Sequence, residues 1–326
     1  MVEVRNSEIL LIYEAKLCNP NGDPDNENRP RIDPKTRINL VTDVRLKRFF
    51  RDYIVEKYGE NFVYVTKIGG KSVRADSRTK RLLYGDENVP EINLDKAKEI
   101  PKRCIDARLF GAVVPIGKGE GKKGESISFI GPVQFTWGFS LHPVEIVESS
   151  TITSVFSGRE EAERYGTIGK DWRLYYSLIA FYGVVSGRRA KQIDMTNDDL
   201  KILDNFLWKS LEVQPTTRSK IGEKPHLYLR VEYRDADTVL GDLRRFIKVE
   251  PKDAIRDLDD LKLDFTPLTN HLKKYSNRIS CIYLNTSDEL AYLHDQLKDI
   301  GVSIEPLPHE LSEEEIYRIL RSAEGT

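Results

Sequence analysis

Three aspartates, Asp23, Asp25 and Asp33, stand in a loop that also carries Arg29, Arg31, Lys35 and Arg37. Carboxylates beside a polyanion can hold Mg²⁺ for phosphodiester cleavage, so one chemistry open to this chain is metal-dependent hydrolysis. Asp23 and Asp33 each precede a proline, which equally suits turn initiation. The second chemistry is non-covalent. From Asn28 to Arg51 eight Lys and Arg stand against two Asp, and from Lys71 to Arg81 five stand against one. Such stripes are the footprint of a polyanion site, with a solvated helix face as the alternative. Other chemistry is thin. His142, His226, His271, His294 and His309 are isolated, and neither G-x-S-x-G nor H-E-x-x-H occurs. Gly119 to Gly124 fits G-x-G-x-x-G, but Pro115 precedes it and the alternating Ser126 to Phe129 follows. A hairpin tip explains that setting better than a pyrophosphate cradle, which needs a strand before and a helix after.

The 326 residues carry a net charge of −1, and that average hides a division. Residues 1–230 hold 38 Lys and Arg against 32 Asp and Glu, whereas residues 231–326 hold 13 against 20. Any grip on a polyanion therefore belongs to the first two thirds. Charged residues make up 32% of the chain, against about 25% in typical domains, and no apolar run approaches the roughly 20 residues of a membrane span. The N-terminus lacks a basic region followed by a long apolar stretch, so a cytoplasmic protein with no membrane partner is expected. Cys18, Cys104 and Cys281 are far apart and odd in number, which argues against a disulfide framework and a Cys-based zinc site.

The elements that must position these charges can be followed along the chain. Glu8 to Leu17 reads as a buried strand, closed by the turn cluster Asn19 to Pro24 and followed by a long loop to about Val41. Thr42 or Asp43 caps a helix whose Leu46, Phe49, Phe50, Tyr53 and Ile54 face a core, which leaves Lys47, Arg48 and Arg51 on another face. Residues 60 to about 128 read as an insertion with candidate strands at Phe62–Lys67 and Ile127–Ile130. Val133–Leu141 alternates like a single strand, with Val133, Phe135, Trp137, Phe139 and Leu141 on one side. Thr151–Gly169 reads as a projecting excursion before the strong strand Trp172–Val185. Thr196–Leu211 is the clearest helix, opening on a capping box at Thr196 and Asp199, and His226–Tyr233 alternates again. In the acidic remainder, Ser280–Leu284 and Val302–Leu307 read as edge strands around a helix at 287–299, with a terminal helix at Leu311–Ser322. The order strand, helix, strand, strand, helix, strand is that of the ferredoxin-like split βαβ, an α+β fold shared by RNA-recognition domains.

Asn19-Pro20-Asn21-Gly22-Asp23-Pro24 after the first strand, Leu46-Lys47-Arg48 with Arg51 on the first helix, Cys104 to Gly111, and Gly131-Pro132-Val133-Gln134 together resemble the CRISPR-associated Cas-seven family. They are closest to its subtype I-B and I-C branch. The resemblance covers residues 8 to 233. It implies an α+β, ferredoxin-like (RRM-like) palm from 1–59 and 131–233, a fingers insertion at 60–130, a thumb hairpin at 148–170, and an acidic α/β extension at 234–326 packing on the palm. It implies a backbone subunit of a type I Cascade complex rather than an enzyme. Such a subunit oligomerises along a CRISPR RNA spacer and presents the bases to target DNA. Its partners would be CRISPR RNA, target DNA, further copies of itself in a helical filament, and other Cascade subunits, with no cofactor and no metal. Relatives in type III complexes cut RNA through a loop aspartate, and Asp33 would be its nearest counterpart here.

A protein that holds RNA whatever its sequence should contact backbone and sugar and leave base edges free. Asn19, Asn21, Lys47, Arg48, Arg51, Arg108, Arg218 and Lys220 suit that work, the last two in the polar loop from Pro215 to Lys224. In the thumb, Thr151, Thr153 and Thr167 are the expected polar contacts. Phe156 is either an apolar wedge between bases or a core aromatic. The aromatic consensus by which RNA-recognition domains stack bases on their sheet is missing, so contacts are expected along the helix and loop side, away from the sheet face.

Overall fold

The computed structural model describes residues 3–86, 88–89, 92–116, 125–148, 150–154 and 167–321. Its centre is the succession β1 (Ser7–Cys18), α1 (Asp43–Tyr58), β2 (Gly138–Pro143), β3 (Leu174–Val185), α2 (Asn197–Val213) and β4 (Glu223–Tyr233). In space these strands lie in the order β4, β1, β3, β2, each antiparallel to its neighbour. Among the described residues they belong to one ten-stranded mixed sheet. Ile279–Thr286 extends it beyond β4, and Ser303–Pro306 adds a parallel edge. The protein is thus α+β around one large sheet.

Strand β1 reads as an unbroken apolar run because both its faces are covered. Ile9, Leu11 and Tyr13 enter a core with Phe49 and Phe50 of α1 and Leu203 and Phe206 of α2. Leu10 and Ile12 enter a second core with Leu243, Phe265, Leu268, Leu272 and Leu293. Each large apolar side chain buried this way is worth about 1.5–3 kcal/mol. The acidic C-terminal segment therefore supplies the layer that closes the second face of the sheet. The helices begin where their caps require. Thr42 Oγ1 accepts from the Arg45 amide at 3.3 Å, and Thr196 and Asp199 close the capping box of α2.

Three local expectations are corrected. The long loop to Val41 contains short strands at Gly22–Asp23, Arg29–Ile32 and Ile38–Val41 that continue the sheet past β2. Residues 62–67 form no strand, because the amides of Tyr64 and Val65 donate to the buried Asp106 carboxylate, at 2.7 and 3.1 Å, instead of to a ladder. Val133–Leu141 is two strands, Val133–Phe135 and β2, parted at Thr136 and Trp137. Val133 and Phe135 pack in the helix-side core, Leu141 packs against the opposite one, and Trp137 is exposed. Gly138 makes the crossing possible, since a Cβ there would lie 2.5 Å from the Phe181 ring.

Residues 60–130 have a small core of their own around Tyr64, Ile100, Cys104, Ala107 and Val114, with a hairpin of Gly111–Ile116 and Glu125–Ile130. The glycine-rich segment 119–124 lies outside the described residues. So do residues 155–166, between the paired strands Thr151–Ser154 and Thr167–Lys170. Among the described residues no helix is long and apolar enough to cross a membrane, and all three cysteines are buried and free.

Candidate nucleic-acid interface

Four segments converge where β1 ends and β3 and β4 begin. They are the turn from Asn19 to Asn28, the first turn of α1, the paired strands Thr151–Ser154 and Thr167–Lys170, and the loop that precedes β4. Backbone bonds fasten them. Lys16 N donates to Gly222 O and Asn19 N to Ser219 O, both at 2.9 Å. Gly222 is required there, because at φ +112° any Cβ would stand 2.2 Å from Lys16 O.

Side chains complete the frame. Asn19 Nδ2 donates to Asn28 O at 2.7 Å, and the Thr42 amide donates to Asn21 Oδ1 at 2.9 Å, tying the turn to the start of α1. Arg31 donates to Gly22 O at 2.8 Å and to Asp23 at 3.1 Å. Arg173 bridges Asp171 at 2.9 Å, Leu17 O at 2.7 Å and Arg218 O at 3.1 Å. The motif Asn-Pro-Asn-Gly-Asp thus builds a rigid turn before it offers anything to a ligand.

The cations predicted from the sequence divide into two groups. Arg218 stands out with its side chain 66% exposed, 3.8 Å from an Asp171 already held by Arg173. Lys47 and Arg48 reach the surface of α1, 12% and 38% exposed, each paired within its helix, to Asp43 at 2.8 Å and Asp52 at 2.7 Å. Thr151 is exposed on the hairpin. The other group faces inward. Arg51 is buried against Asp106 at 2.8 Å, and Arg108 is buried against Asp199 at 2.8 Å, with further bonds to the carbonyls of Pro101, Lys102 and Ile319. Neither presents its guanidinium to a polyanion, because each is the counter-charge of a buried carboxylate. Lys220 also turns inward, donating to the carbonyls of Pro20, at 2.9 Å, and Asn19. Burial and the nearby Arg45 charge pull its ammonium well below the usual lysine range, while burial pushes neighbouring Glu223 upward. Phe156 lies outside the described residues, as do the side chains of Thr153 and Thr167.

Several residues were not singled out beforehand. The Arg29 guanidinium lies 4.3 Å above the Trp172 ring, with Lys170 Nζ 5.7 Å from the same ring. Arg45 caps Phe49 at 3.8 Å beside Lys220 and Glu223. Arg29 and Arg45 belong to the basic stripe in the sequence, but nothing in that stripe distinguishes them. Trp172, Lys170 and Arg173 carry no local signal, because their partners lie in other segments. Two of the three candidate metal carboxylates hold turns. Asp33 accepts from the Lys35 amide at 2.9 Å, which with Thr36 holds its carboxyl below the usual range, and Asp23 caps the turn at 24–26. Among the described residues no three His, Cys, Asp or Glu are grouped to hold a metal ion.

The arrangement is a cationic, hydrogen-bonding cleft at one end of a covered sheet, suited to a phosphodiester strand. The family model described as CRISPR-associated protein Cas7 matches residues 5–266. The CRISPR-associated protein Cas7 of Haloferax volcanii is 31% identical over 299 residues, 87% of each chain. Two solved chains share the fold at 12–13% identity over 98% of this chain. One is from a CRISPR RNA-guided surveillance complex (TM-score 0.50, 99% of that chain), the other from such a complex in a pre-nicking state (0.51, 100%).

Proposed function

The chain belongs to the CRISPR-associated Cas7 family, and on that premise we propose that it is the CRISPR RNA-binding backbone subunit of a type I Cascade complex. Copies of it oligomerise along the guide and present its bases to target DNA, beside other Cascade subunits in the prokaryotic cytoplasm. The observation that carries this reading is the convergence of the Asn19–Asn28 turn, the start of α1, the hairpin base and the 215–222 loop on one cationic cleft. The strand order β4, β1, β3, β2 supports a ferredoxin-like, RRM-like palm at 1–59 and 131–233. The separate small core of 60–130 supports a fingers unit, the 151–170 hairpin a thumb, and 234–326 an extension packed on the palm. The motif flavour of Asn19 to Pro24, Leu46 to Arg48 with Arg51, Cys104 to Gly111 and Gly131 to Gln134 favours subtype I-B or I-C.

Arg218, Lys47, Arg48, Asn21 and Thr151 are the proposed contacts to phosphate and sugar, with Thr153, Thr167 and Phe156 as further thumb candidates. Asn19 and Lys220 shape the cleft from within. No observation favours the nuclease reading, since Asp33 serves its own turn. The test is binding of the purified protein to a labelled single-stranded RNA across salt concentrations, beside duplex DNA, with Mg²⁺ and EDTA arms. Cooperative, salt-sensitive RNA binding without cleavage, weakened in Lys47→Ala/Arg48→Ala and in Arg218→Ala, is expected. RNA binding no tighter than duplex binding and indifferent to these changes would overturn the reading. Mg²⁺-dependent cutting lost in Asp33→Ala would replace it with the nuclease.

A further inference from the structure

We propose that Leu17 packs its exposed side chain on the face of one base of the bound strand, beside the phosphate that Arg218 neutralises. The inference rests on the RNA-binding reading and adds a contact to the bases, which the cations do not make. Among the described residues five non-glycine residues have a positive φ, and Leu17, at φ +50°, is the one aliphatic residue of the five. In the left-handed region its Cβ crowds the following carbonyl oxygen, a strain that glycine avoids and asparagine tolerates. Burial does not offset that strain, because Leu17 is 50% exposed. Gly222, on the facing segment, meets a similar demand with glycine, at φ +112°. A bulky side chain held in the left-handed region and half in solvent is an outlier of the kind that gathers at ligand clamps.

Hydrogen bonds set Leu17 at the mouth of the cleft. It lies between Lys16 N, which donates to Gly222 O, and Asn19 N, which donates to Ser219 O, both at 2.9 Å. One guanidinium joins it to the exposed cation: Arg173 donates to Leu17 O at 2.7 Å and to Arg218 O at 3.1 Å. Ile221, within the segment that faces it, is a second aliphatic side chain at the surface, 60% exposed. An apolar side chain beside an exposed cation matches the two halves of a nucleotide. Arg218 takes the phosphate, and the base that hangs beside it offers a flat apolar face. Leucine and isoleucine are among the apolar wedges that nucleic-acid-binding proteins set against bases. Every base has such a face, so the contact is blind to sequence and leaves the pairing edges free.

The test compares a labelled single-stranded RNA with an abasic ribose-phosphate strand of the same length at fixed salt, using the full chain, Leu17→Asn and Leu17→Met. Asparagine tolerates the left-handed backbone and removes the apolar surface, whereas methionine keeps an apolar side chain. The wild type should bind the base-bearing strand the tighter of the two. Leu17→Asn should reduce the base-to-abasic ratio about three- to tenfold, the worth of half a leucine's surface, and Leu17→Met should restore most of it. Because no cation is lost, the salt slope of Leu17→Asn should match the wild type, and because strain is relieved it should melt no lower. Equal weakening on both strands in Leu17→Asn overturns the base contact while the phosphate grip stands. At an unchanged ratio, a lower melting temperature in Leu17→Asn assigns the side chain to packing, and weaker self-association in sedimentation without RNA assigns it to a contact between copies; either overturns the proposal. Failure of the wild type to bind either strand overturns the RNA-binding reading and this inference with it.

Discussion

Arg108 and Asp199 meet in the interior, with guanidinium Nη2 and Nε 2.8 and 3.0 Å from Oδ1 and side chains 2% and 0% exposed. Asp199 is also the residue that closes the capping box of α2, accepting from the Thr196 amide at 2.8 Å. Through its bonds to the carbonyls of Pro101, Lys102 and Ile319, Arg108 joins the 99–110 helices, the head of α2 and the C-terminal helix.

Removing one partner strands the other charge in a low-dielectric site, at a cost of about 3–5 kcal/mol. Arg108→Ala is therefore expected to lower stability by that much in chemical denaturation. Arg108→Ala/Asp199→Ala should lose less than the sum of the two single changes. In folded Arg108→Ala protein the salt dependence of RNA binding should match the wild type, which separates a structural cation from a phosphate contact.

Asp204 is the hub of a second buried network. Tyr228 Oη donates to it at 2.7 Å, Arg230 grips both oxygens at 2.8 and 2.7 Å, and His309 Nε2 lies at 2.9 Å. Burial alone would push this carboxyl up, but the Arg230 charge and the His309 bond outweigh it and hold it below the usual value of 3.8. A folded pKa below the unfolded one gives stability that is present above about pH 4 and lost as pH falls through the folded value. Asp204→Asn should cost about 3–5 kcal/mol at pH 7, because Arg230 is left unpaired, and the gap to wild type should narrow in melts below pH 4.

Gly222 and Gly59 share a positive φ, +112° and +106°, but not their surroundings. Nothing lies within 4 Å of a Cβ at Gly59, whereas at Gly222 it meets Lys16 O at 2.2 Å. Gly59→Ala should cost only backbone strain, about 1–3 kcal/mol. Gly222→Ala must also break the bond from Lys16 N and displace the 215–222 loop, so it alone should weaken RNA binding as well as stability. Parallel melts and binding titrations of the two variants check this.

The central order of strands and helices was legible because it rests on local periodicity and caps: Thr42 and Thr196 open their helices where the sequence places them. What was not legible depends on distant partners. The amides of Tyr64 and Val65 leave the strand pattern because Asp106, some forty residues on, accepts both. Arg51 and Arg108 resemble surface cations in a basic stretch, and only the fold brings Asp106 and Asp199 to them. Trp172 could not be read as a site residue, because Arg29, whose guanidinium covers its ring, comes from another segment. The acidic C-terminal region was legible as charge, but its leucines form the layer over the second face of the sheet.

The cleft's electrostatics give a last prediction with opposite signs at neighbouring residues. Arg218 is mostly exposed, and its nearest carboxylate, Asp171, is 3.8 Å away and already neutralised by Arg173. It is free to neutralise a phosphate, and each phosphate neutralised on a single strand contributes about 0.7 to the slope of log affinity against log salt. Arg218→Ala should therefore lower that slope by about 0.7. Lys47 is different, because it must leave Asp43, 2.8 Å away, before it can serve RNA. Lys47→Ala should lower the slope by less than Arg218→Ala. Asp43→Asn, which frees the ammonium and removes a negative charge beside the strand, should strengthen RNA binding at low salt, with the gain fading as salt screens it. Weaker binding in Asp43→Asn, in protein whose melt is preserved, would mean that Lys47 is a helix-surface residue and that the phosphates run past the first turn of α1 without touching it.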